Sequence, residues 1–145
     1  FRHLHQRPDR FRRVVFNPAH RFHPTRTEYD EEQPIGEVQV FEEQARSILT
    51  TNDSPDLGFT YSVNPYRGCF HACAYCYARP THQYLEFGAG TDFDRKLIVK
   101  ANAAELLEET FAKKRWSGEP VLFSGITDCY QPIESVYECT RRCLE

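Results

Sequence analysis

The order of predicted elements in residues 59–145 indicates an α/β fold built around a parallel sheet. Residues 59–64 are aromatic and β-branched, and they predict a strand. A second strand is expected at Lys96–Lys100, and the apolar run Val121–Phe123 is typical of a strand buried on both faces. The clearest helix, residues 103–115, lies between these two strands. Strand, helix, strand, helix is the order of βα units, whose strands run parallel.

The predicted helix has boundary signals at both ends. Asn102 is a favourable N-cap, and Glu105, three residues later, predicts a capping box. Gly118 and Pro120 end the helix. Its apolar stripe at helical spacing consists of Ala104, Leu107 and Phe111. A further helix is predicted over residues 133–144.

Three regions are predicted along the chain. Residues 1–35 form a flexible arm, first basic and then acidic, and residues 36–58 form an N-terminal extension that packs on the main domain at residues 59–145. In the extension a strand-like alternation precedes a helix-compatible stretch, and the residues concerned are Val38, Val40, Ala45, Ile48 and Leu49. A basic arm can touch phosphates, but its prolines and its lack of periodicity favour a solvated, disordered segment.

The composition favours one soluble domain. The chain has 145 residues, a net charge of -3 and an apolar fraction of 40%. No apolar run approaches the roughly 20 residues that span a bilayer, and no secretory signal is visible, so a cytoplasmic location is predicted. The chain lacks Met and stops within a predicted helix, so we expect it to be a truncated fragment. Such a fragment is expected to be poorly soluble and inactive when produced alone.

Three cysteines carry the strongest chemical signal. Cys69, Cys73 and Cys76 are separated by three and then two residues, and they offer three soft ligands without a fourth. Without a secretory signal, such a group favours metal binding over disulfides. An iron–sulfur cluster held this way keeps one iron open for a bound molecule. Zinc is the chemical competitor, and it would need a fourth ligand from His71, His82 or Cys129. Spacing alone favours the cluster over zinc and over three ordinary buried thiols. Gly68, just before the first cysteine, is predicted to allow a sharp departure of the loop from the preceding strand.

The loop resembles the signature of the radical S-adenosylmethionine superfamily, in which an aromatic residue, here Tyr75, directly precedes the last cysteine. The flanking sequences resemble the spore photoproduct lyase-like branch of that superfamily, and they comprise residues 61–69, 76–79 and 124–132. The resemblance covers roughly residues 59–145.

The resemblance implies a partial (β/α)6 barrel, of which this chain would be the N-terminal portion, with the cluster loop after the first strand. It implies that Cys69, Cys73 and Cys76 bind a [4Fe–4S] cluster whose open iron is chelated by S-adenosylmethionine. One electron then cleaves the cofactor into methionine and a 5′-deoxyadenosyl radical, which abstracts hydrogen from a substrate. The implied partner is an electron donor such as a flavodoxin or a ferredoxin.

Two further parts of the chain are candidate cofactor contacts by this resemblance. Tyr75 would lie beside the adenine, or it would pack the loop onto the barrel. The turn after Val121–Phe123 would bind the methionine amino group, and its candidate residues are Ser124, Gly125, Thr127 and Asp128. Thr127 or Asp128 would supply the polar contact. The alternative is an ordinary strand-to-helix turn with a helix-capping Asp128.

The remaining cysteines and histidines receive weaker assignments. Cys129 follows the candidate turn and could face the active site as a hydrogen donor or a thiyl site. A second metal site formed with Cys139 and Cys143 is disfavoured, because the separations fit no compact template and a buried thiol often acts as a small apolar group. His71 and His82 flank the cysteine loop, where each could support the metal ligands from behind or lie at the surface, and a place at the surface is favoured.

Two other functions stay open beside the radical enzyme. A zinc-binding nucleic-acid module would use the basic arm and the aromatic residues, and an iron–sulfur electron carrier would use the cluster alone. A nucleic-acid substrate is conceivable, since the resembling branch is named for DNA photoproduct repair. Substrate-binding groups in such barrels come largely from later strands, so no repair activity is inferred for this chain.

Overall fold

The computed structural model describes residues 37–145, and the predicted arm at residues 1–35 lies outside them. The described chain forms two compact units. The first unit contains residues 37–40 and Gly68–Leu97, and the second contains Phe41–Arg67 and Ile98–Glu145.

Short strands and short helices alternate along the described residues. In chain order they are β1 (Gln39–Glu43), β2 (Leu49–Thr51), β3 (Tyr61–Val63), β4 (Tyr66–Arg67), a 3-10 helix (Arg79–Leu85), α1 (Asp92–Arg95), β5 (Lys96–Lys100), α2 (Ala103–Phe111), β6 (Val121–Phe123), α3 (Glu134–Tyr137) and α4 (Cys139–Leu144). The strands form two three-stranded sheets, in the orders β2-β3-β6 and β1-β5-β4. Within residues 37–145 no closed barrel forms, so the partial barrel remains a prediction.

β3 is the central strand of the first sheet. β2 runs antiparallel to it, with Leu49 opposite Val63. β6 runs parallel to it, with Val63 opposite Phe123. The predicted βα order instead put the strands at 96–100 and 121–123 in one parallel sheet, whereas β5 lies in the other sheet and runs antiparallel to β4. The parallel pair of the structure is β3 and β6. The carboxyl ends of β3 and β6 therefore lie at the same edge of the sheet, which is where ligands bind in parallel α/β folds.

The core of the second unit forms where α2 packs near this sheet. Its fully buried members are Ile48, Val63, Ala103 and Leu107. Burial of each of the larger side chains contributes about 1.5–3 kcal/mol. Cys143 of α4 packs against the same cluster. The buried face of α2 thus holds the helix against the sheet. Val121 and Phe123 of β6, the strand that leads into the candidate turn, pack against the same core.

The strand predicted at Lys96–Lys100 is confirmed as β5. Its partner β4 runs antiparallel, with Tyr66 opposite Val99, and both side chains are completely buried. The apolar character of this pair explains why so short a strand as β4 is ordered next to the cysteine loop.

The predicted capping box of α2 is wrong. Asn102 makes no side-chain cap to the helix. Its Oδ1 instead accepts from the main-chain N–H of Ala45, and its Nδ2 donates to the Ala45 carbonyl oxygen, both at 2.9 Å. The side chain of Asn102 is therefore occupied by a contact with a residue distant in the sequence and does not cap the helix. Glu105 is exposed and pairs with Arg142 of α4.

The buried face of α2 also differs from the predicted stripe. Ala103 and Leu107 are buried, whereas Phe111 is 40% exposed. The helix, predicted to reach residue 115, ends at Phe111, whose ring lies 4.8 Å from the ring of Trp116. The helix therefore stops before Trp116, and the two aromatic rings pack together at its end.

Three other expectations about local structure need correction. β6 is not buried on both faces, because Leu122 is 38% exposed. The helix-compatible stretch before residue 50 contains no helix, and Leu49 begins β2. The helix predicted over residues 133–144 is two short helices, separated at Glu138 by a backbone φ of 50°. Within residues 37–145, no helix has the length and apolar character needed to cross a membrane.

Candidate metal-binding loop and cofactor turn

The cysteine loop begins at a glycine that the structure requires. Gly68 has a φ of 75°, a conformation that side-chain-bearing residues rarely adopt. A Cβ at this position would lie 2.7 Å from the carbonyl oxygen of Phe93, closer than real contacts allow. The next main-chain N–H, that of Cys69, donates to the same oxygen at 3.0 Å. This contact fixes the start of the loop against α1, as the sharp departure predicted for Gly68 requires.

Successive turns hold the rest of the loop. The N–H of Ala72 donates to the carbonyl oxygen of Cys69 at 3.3 Å, and that of Cys76 donates to Cys73 at 3.2 Å. Ala72 has a φ of 55°, which is unusual for a residue other than glycine. The same conformation occurs at Glu86 and Glu138, where helices end, so at Ala72 it marks a tight turn within the loop.

The three cysteines of the loop form no disulfide; Cys69 is buried and the other two are partly exposed. Within residues 37–145, no three His, Cys, Asp or Glu side chains lie close enough together to hold a metal ion. Side-chain rotation or loop movement is therefore needed before the sulfur atoms of Cys69, Cys73 and Cys76 can converge.

The chemistry of the donor set fits an iron–sulfur cluster. Three thiols on one turn-rich loop match the soft ligands that such clusters take. Three buried side-chain polar atoms in the described chain lack a hydrogen-bond partner among its residues: Nε of Arg67, Nη2 of Arg79, just after the loop, and Oγ of Ser124, in the candidate turn. An unpaired buried polar atom is unusual and is commonly satisfied by a bound group.

Arg79 is a feature of the first unit that sequence analysis missed. Its side chain is buried. Its Nε donates to the carbonyl oxygen of Cys73 at 2.9 Å, and its Nη1 donates to that of Gly90 at 2.7 Å. Nη1 also lies 3.5 Å from the carboxylate of Asp94. The only sequence signal was an arginine directly after the cysteine loop.

His82 was predicted at the surface, and this prediction is wrong. Its side chain is 1% exposed. Its Nε2 lies 2.8 Å from the carbonyl oxygen of Lys96, and its ring packs edge-on against Phe93 with centroids 5.4 Å apart. Because these contacts fix the ring, His82 is a poor candidate for the fourth ligand of a zinc site. His71 is partly exposed.

Tyr75 projects from the loop with 86% of its surface exposed. The ring therefore does not pack the loop onto any described part of the chain, which was one of its two expected roles. Its expected place beside an adenine remains a prediction. Tyr77, two residues on, is 79% exposed.

The candidate turn follows β6 in the second unit. Ser124 has a φ of 68°, and its N–H donates to the carbonyl oxygen of Val63 at 2.9 Å. The N–H of Ile126 donates to Oδ1 of Asn64 at 3.1 Å. The turn is thus tied to the residues that follow the parallel strand β3. A strained, non-glycine residue with an unpaired hydroxyl at this edge is typical of a ligand site.

The other turn residues make local contacts. Oδ1 of Asp128 accepts from the N–H of Tyr130 at 2.8 Å, which closes a side-chain turn rather than capping a helix. Nε2 of Gln131 donates to the hydroxyl of Thr127 at 3.2 Å. A Cβ on Gly125 would meet only Leu122 at 3.9 Å, so this glycine is not required by space.

The three remaining cysteines lie in the second unit. The carbonyl oxygen of Cys129 accepts from Oγ1 of Thr140 at 2.8 Å, and its thiol is free. Burial raises the pKa of the Cys139 thiol and raises that of Cys143 to about 11. Cys139 is buried and Cys143 is partly exposed on α4, and the absence of a second metal site stays a prediction.

A buried tyrosine organises α3 and α4, and sequence analysis did not identify it. The hydroxyl of Tyr66 donates to Glu134 and accepts from the N–H of Cys139 at 3.3 Å. The same carboxylate accepts from the N–H groups of Thr140 and Arg141 at 3.1 and 3.0 Å. Burial and the hydrogen bond to Glu134 raise the pKa of the Tyr66 hydroxyl far above its usual value.

Comparison with known proteins gives partial matches. An uncharacterized protein of Mycobacterium tuberculosis (strain H37Rv) is 51% identical over 81 residues, which are 56% of this chain and 24% of that protein. An uncharacterized protein of Methanocaldococcus jannaschii is 28% identical over 108 residues, 74% of this chain and 38% of that protein. One from Acidianus two-tailed virus is 30% identical over 95 residues, 62% of this chain and 31% of that protein.

The chain thus spans about a quarter of the length of the mycobacterial relative that it matches. No protein-family model matches it. No solved structure matches it significantly.

Proposed function

We propose that this chain is part of a radical S-adenosylmethionine enzyme in which Cys69, Cys73 and Cys76 hold a [4Fe–4S] cluster. The observation that carries the proposal is the spacing of these three cysteines on one loop, which begins directly after Gly68, where only glycine fits. Three cysteine ligands leave one iron open, whereas electron carriers of the ferredoxin type supply four.

The second support is the edge of the sheet at which β3 and β6 end. The turn after β6 is tied to Asn64 after β3, and the buried hydroxyl of Ser124 has no partner among the described residues. A hydroxyl oxygen can accept a hydrogen bond from an ammonium group. Ser124 would therefore bind the methionine amino group, with Thr127 and Asp128 as further candidates in the same turn. For Tyr75, the place beside the adenine rests on the resemblance of its loop alone.

When held by Cys69, Cys73 and Cys76, the cluster would supply one-electron chemistry for the reductive cleavage of S-adenosylmethionine and for hydrogen abstraction from a substrate. The chain's own residues bind and orient. Gly68 directs the loop, and Arg79 holds its main chain at Cys73. Cys129, as a hydrogen donor, is the one catalytic candidate. The electron comes from a flavodoxin- or ferredoxin-type partner in the cytoplasm, and a nucleic acid is one possible substrate class.

Anaerobic reconstitution of the full-length protein with iron and sulfide tests this proposal. We expect a brown protein with about four irons per chain. Cys73→Ala should lose most of the cluster, whereas Cys143→Ala, a matched loss of a thiol on α4, should keep it. A colourless protein that holds one zinc per chain would instead support the nucleic-acid module.

The response of the cluster to S-adenosylmethionine distinguishes an enzyme from an electron carrier. Addition of S-adenosylmethionine should change the electron paramagnetic resonance spectrum of the reduced cluster, because the cofactor binds at the open iron. An unchanged spectrum, together with full iron content, would favour a carrier over an enzyme.

A further inference from the structure

The guanidinium of Arg79 ties together three parts of the first unit. Its Nε binds the carbonyl oxygen of Cys73 in the loop, and its Nη1 binds that of Gly90 before α1. Its charge lies over the ring of Phe93, 5.3 Å from the centroid. Each of these contacts uses a carbonyl oxygen or a ring face, so none of them neutralises the positive charge.

One carboxylate faces this charge. Asp94 is 4% exposed, lies 3.5 Å from Arg79 and lies at the same distance from Arg95. Burial raises the pKa of the Asp94 carboxyl, and the two arginines oppose that change. Asp94 faces both arginines, and the Arg79 guanidinium is the one that contacts the main chain of the cysteine loop.

The described residues make no hydrogen bond to the other terminal NH2 group of the guanidinium. Nη2 is buried and has no hydrogen-bond partner among them. A buried donor left unpaired costs about 1–3 kcal/mol. Because Nε of the same side chain binds the main chain of the loop at Cys73, an anionic group bound by the loop is a candidate partner for Nη2.

We propose that Arg79 is a positioning residue for the cluster: it fixes the main chain of Cys73 and keeps a buried positive charge beside the loop, so that the bound cluster is easier to reduce. This inference rests on the proposed function. The one-electron reductant is a low-potential flavodoxin- or ferredoxin-type donor, and the electron adds one negative charge to the cluster. A buried cation favours that change, since solvent and salt screen it less than a surface charge.

The test is the midpoint potential of the cluster in the reconstituted full-length protein, measured by redox titration with electron paramagnetic resonance. Arg79→Gln should reduce the equilibrium constant for reduction about tenfold, which is about 59 mV toward a lower potential. Arg79→Lys should stay near the wild-type value. Asp94→Asn, which removes the opposing charge, should raise the potential. Arg115→Gln, an exposed arginine, is the matched control.

The opposite signs for Arg79→Gln and Asp94→Asn separate this role from a purely structural one. If Arg79→Gln does not assemble a cluster, the double variant Arg79→Gln/Asp94→Asn is compared with Asp94→Asn alone and should have the lower potential. A wild-type protein that forms no cluster refutes the proposed function itself. A wild-type cluster whose potential is unchanged in Arg79→Gln, or in the double variant relative to Asp94→Asn, refutes only the role of Arg79.

Discussion

Replacement of Gly68 by alanine should destabilise the first unit and impair the cysteine loop. The φ of 75° places this residue in the left-handed region, where alanine costs about 1–2 kcal/mol. The new Cβ would also lie 2.7 Å from the Phe93 oxygen, 3.0 Å from Leu97 and 3.1 Å from His82. The closest contact is with main chain, which cannot move away cheaply, and overpacking of this kind costs about 1–3 kcal/mol. The two effects together predict a loss of about 2–5 kcal/mol.

Gly118 offers a matched control for this prediction. It has a φ of 76°, but a Cβ there would meet nothing within 4 Å. Gly118→Ala therefore pays only the conformational cost, about 1–2 kcal/mol. The difference between the two variants isolates the steric clash at Gly68.

Urea denaturation measures both free energies of unfolding. With a slope of about 2 kcal/mol per molar urea, Gly68→Ala should lower the midpoint by about 1 M or more. Cluster content after reconstitution should fall in the same variant and stay normal in Gly118→Ala. Equal losses of stability in the two variants would refute the steric reasoning.

Three further predictions concern the second unit. Tyr66→Phe leaves the buried N–H of Cys139 unpaired and should cost about 1–3 kcal/mol in urea denaturation, whereas Tyr130→Phe, at an exposed ring, should cost little. Ser124→Gly relieves the positive φ, so stability should stay level or rise by up to about 1 kcal/mol, while S-adenosylmethionine binding measured by calorimetry weakens about tenfold. Burial raises the pKa of the Cys143 thiol from 9.0 to about 11, so the folded state keeps the proton up to a higher pH than the unfolded state does. The stability that this difference contributes is present below pH 9 and is lost as the pH rises from 9 to 11.

Each of these predictions has a contrary result. Equal stability of the Tyr66→Phe and Tyr130→Phe variants would remove the proposed role of the buried hydroxyl. Unchanged cofactor affinity in Ser124→Gly would remove Ser124 from the binding site. For Cys143, the alkaline loss of stability should be smaller in Cys143→Ala than in the wild type, and identical pH profiles would contradict the assignment.

The sequence predicted best those elements that depend on the properties of neighbouring residues along the chain. β5 and β6 were predicted at their observed bounds, because short apolar and β-branched runs carry strand propensity wherever they lie. The role of Gly68 also followed from local reasoning, since a sharp turn after a strand needs a residue that tolerates positive φ. The Cys69 loop could be placed after a strand on the same grounds.

Contacts between distant residues were not predictable from the sequence. Asn102 has the chemistry of an N-cap, but Ala45, 57 residues away, takes both of its hydrogen bonds. His82 has the polarity of a surface residue, yet the carbonyl oxygen of Lys96 satisfies it inside the first unit. The role of Arg79 depends in the same way on carbonyl oxygens, which no sequence pattern marks. In each case a polar group is buried because a specific main-chain partner is available.

The central claim is that the cysteine loop holds a cluster with one iron open to S-adenosylmethionine. The most direct measurement is electron–nuclear double resonance on the reduced, reconstituted full-length protein with cofactor labelled with ¹⁵N at the amino group. Direct coordination predicts a strong nitrogen coupling to the cluster that is absent without the cofactor and lost in Cys73→Ala. A cluster that forms fully and shows no coupling to the labelled nitrogen would contradict the claim.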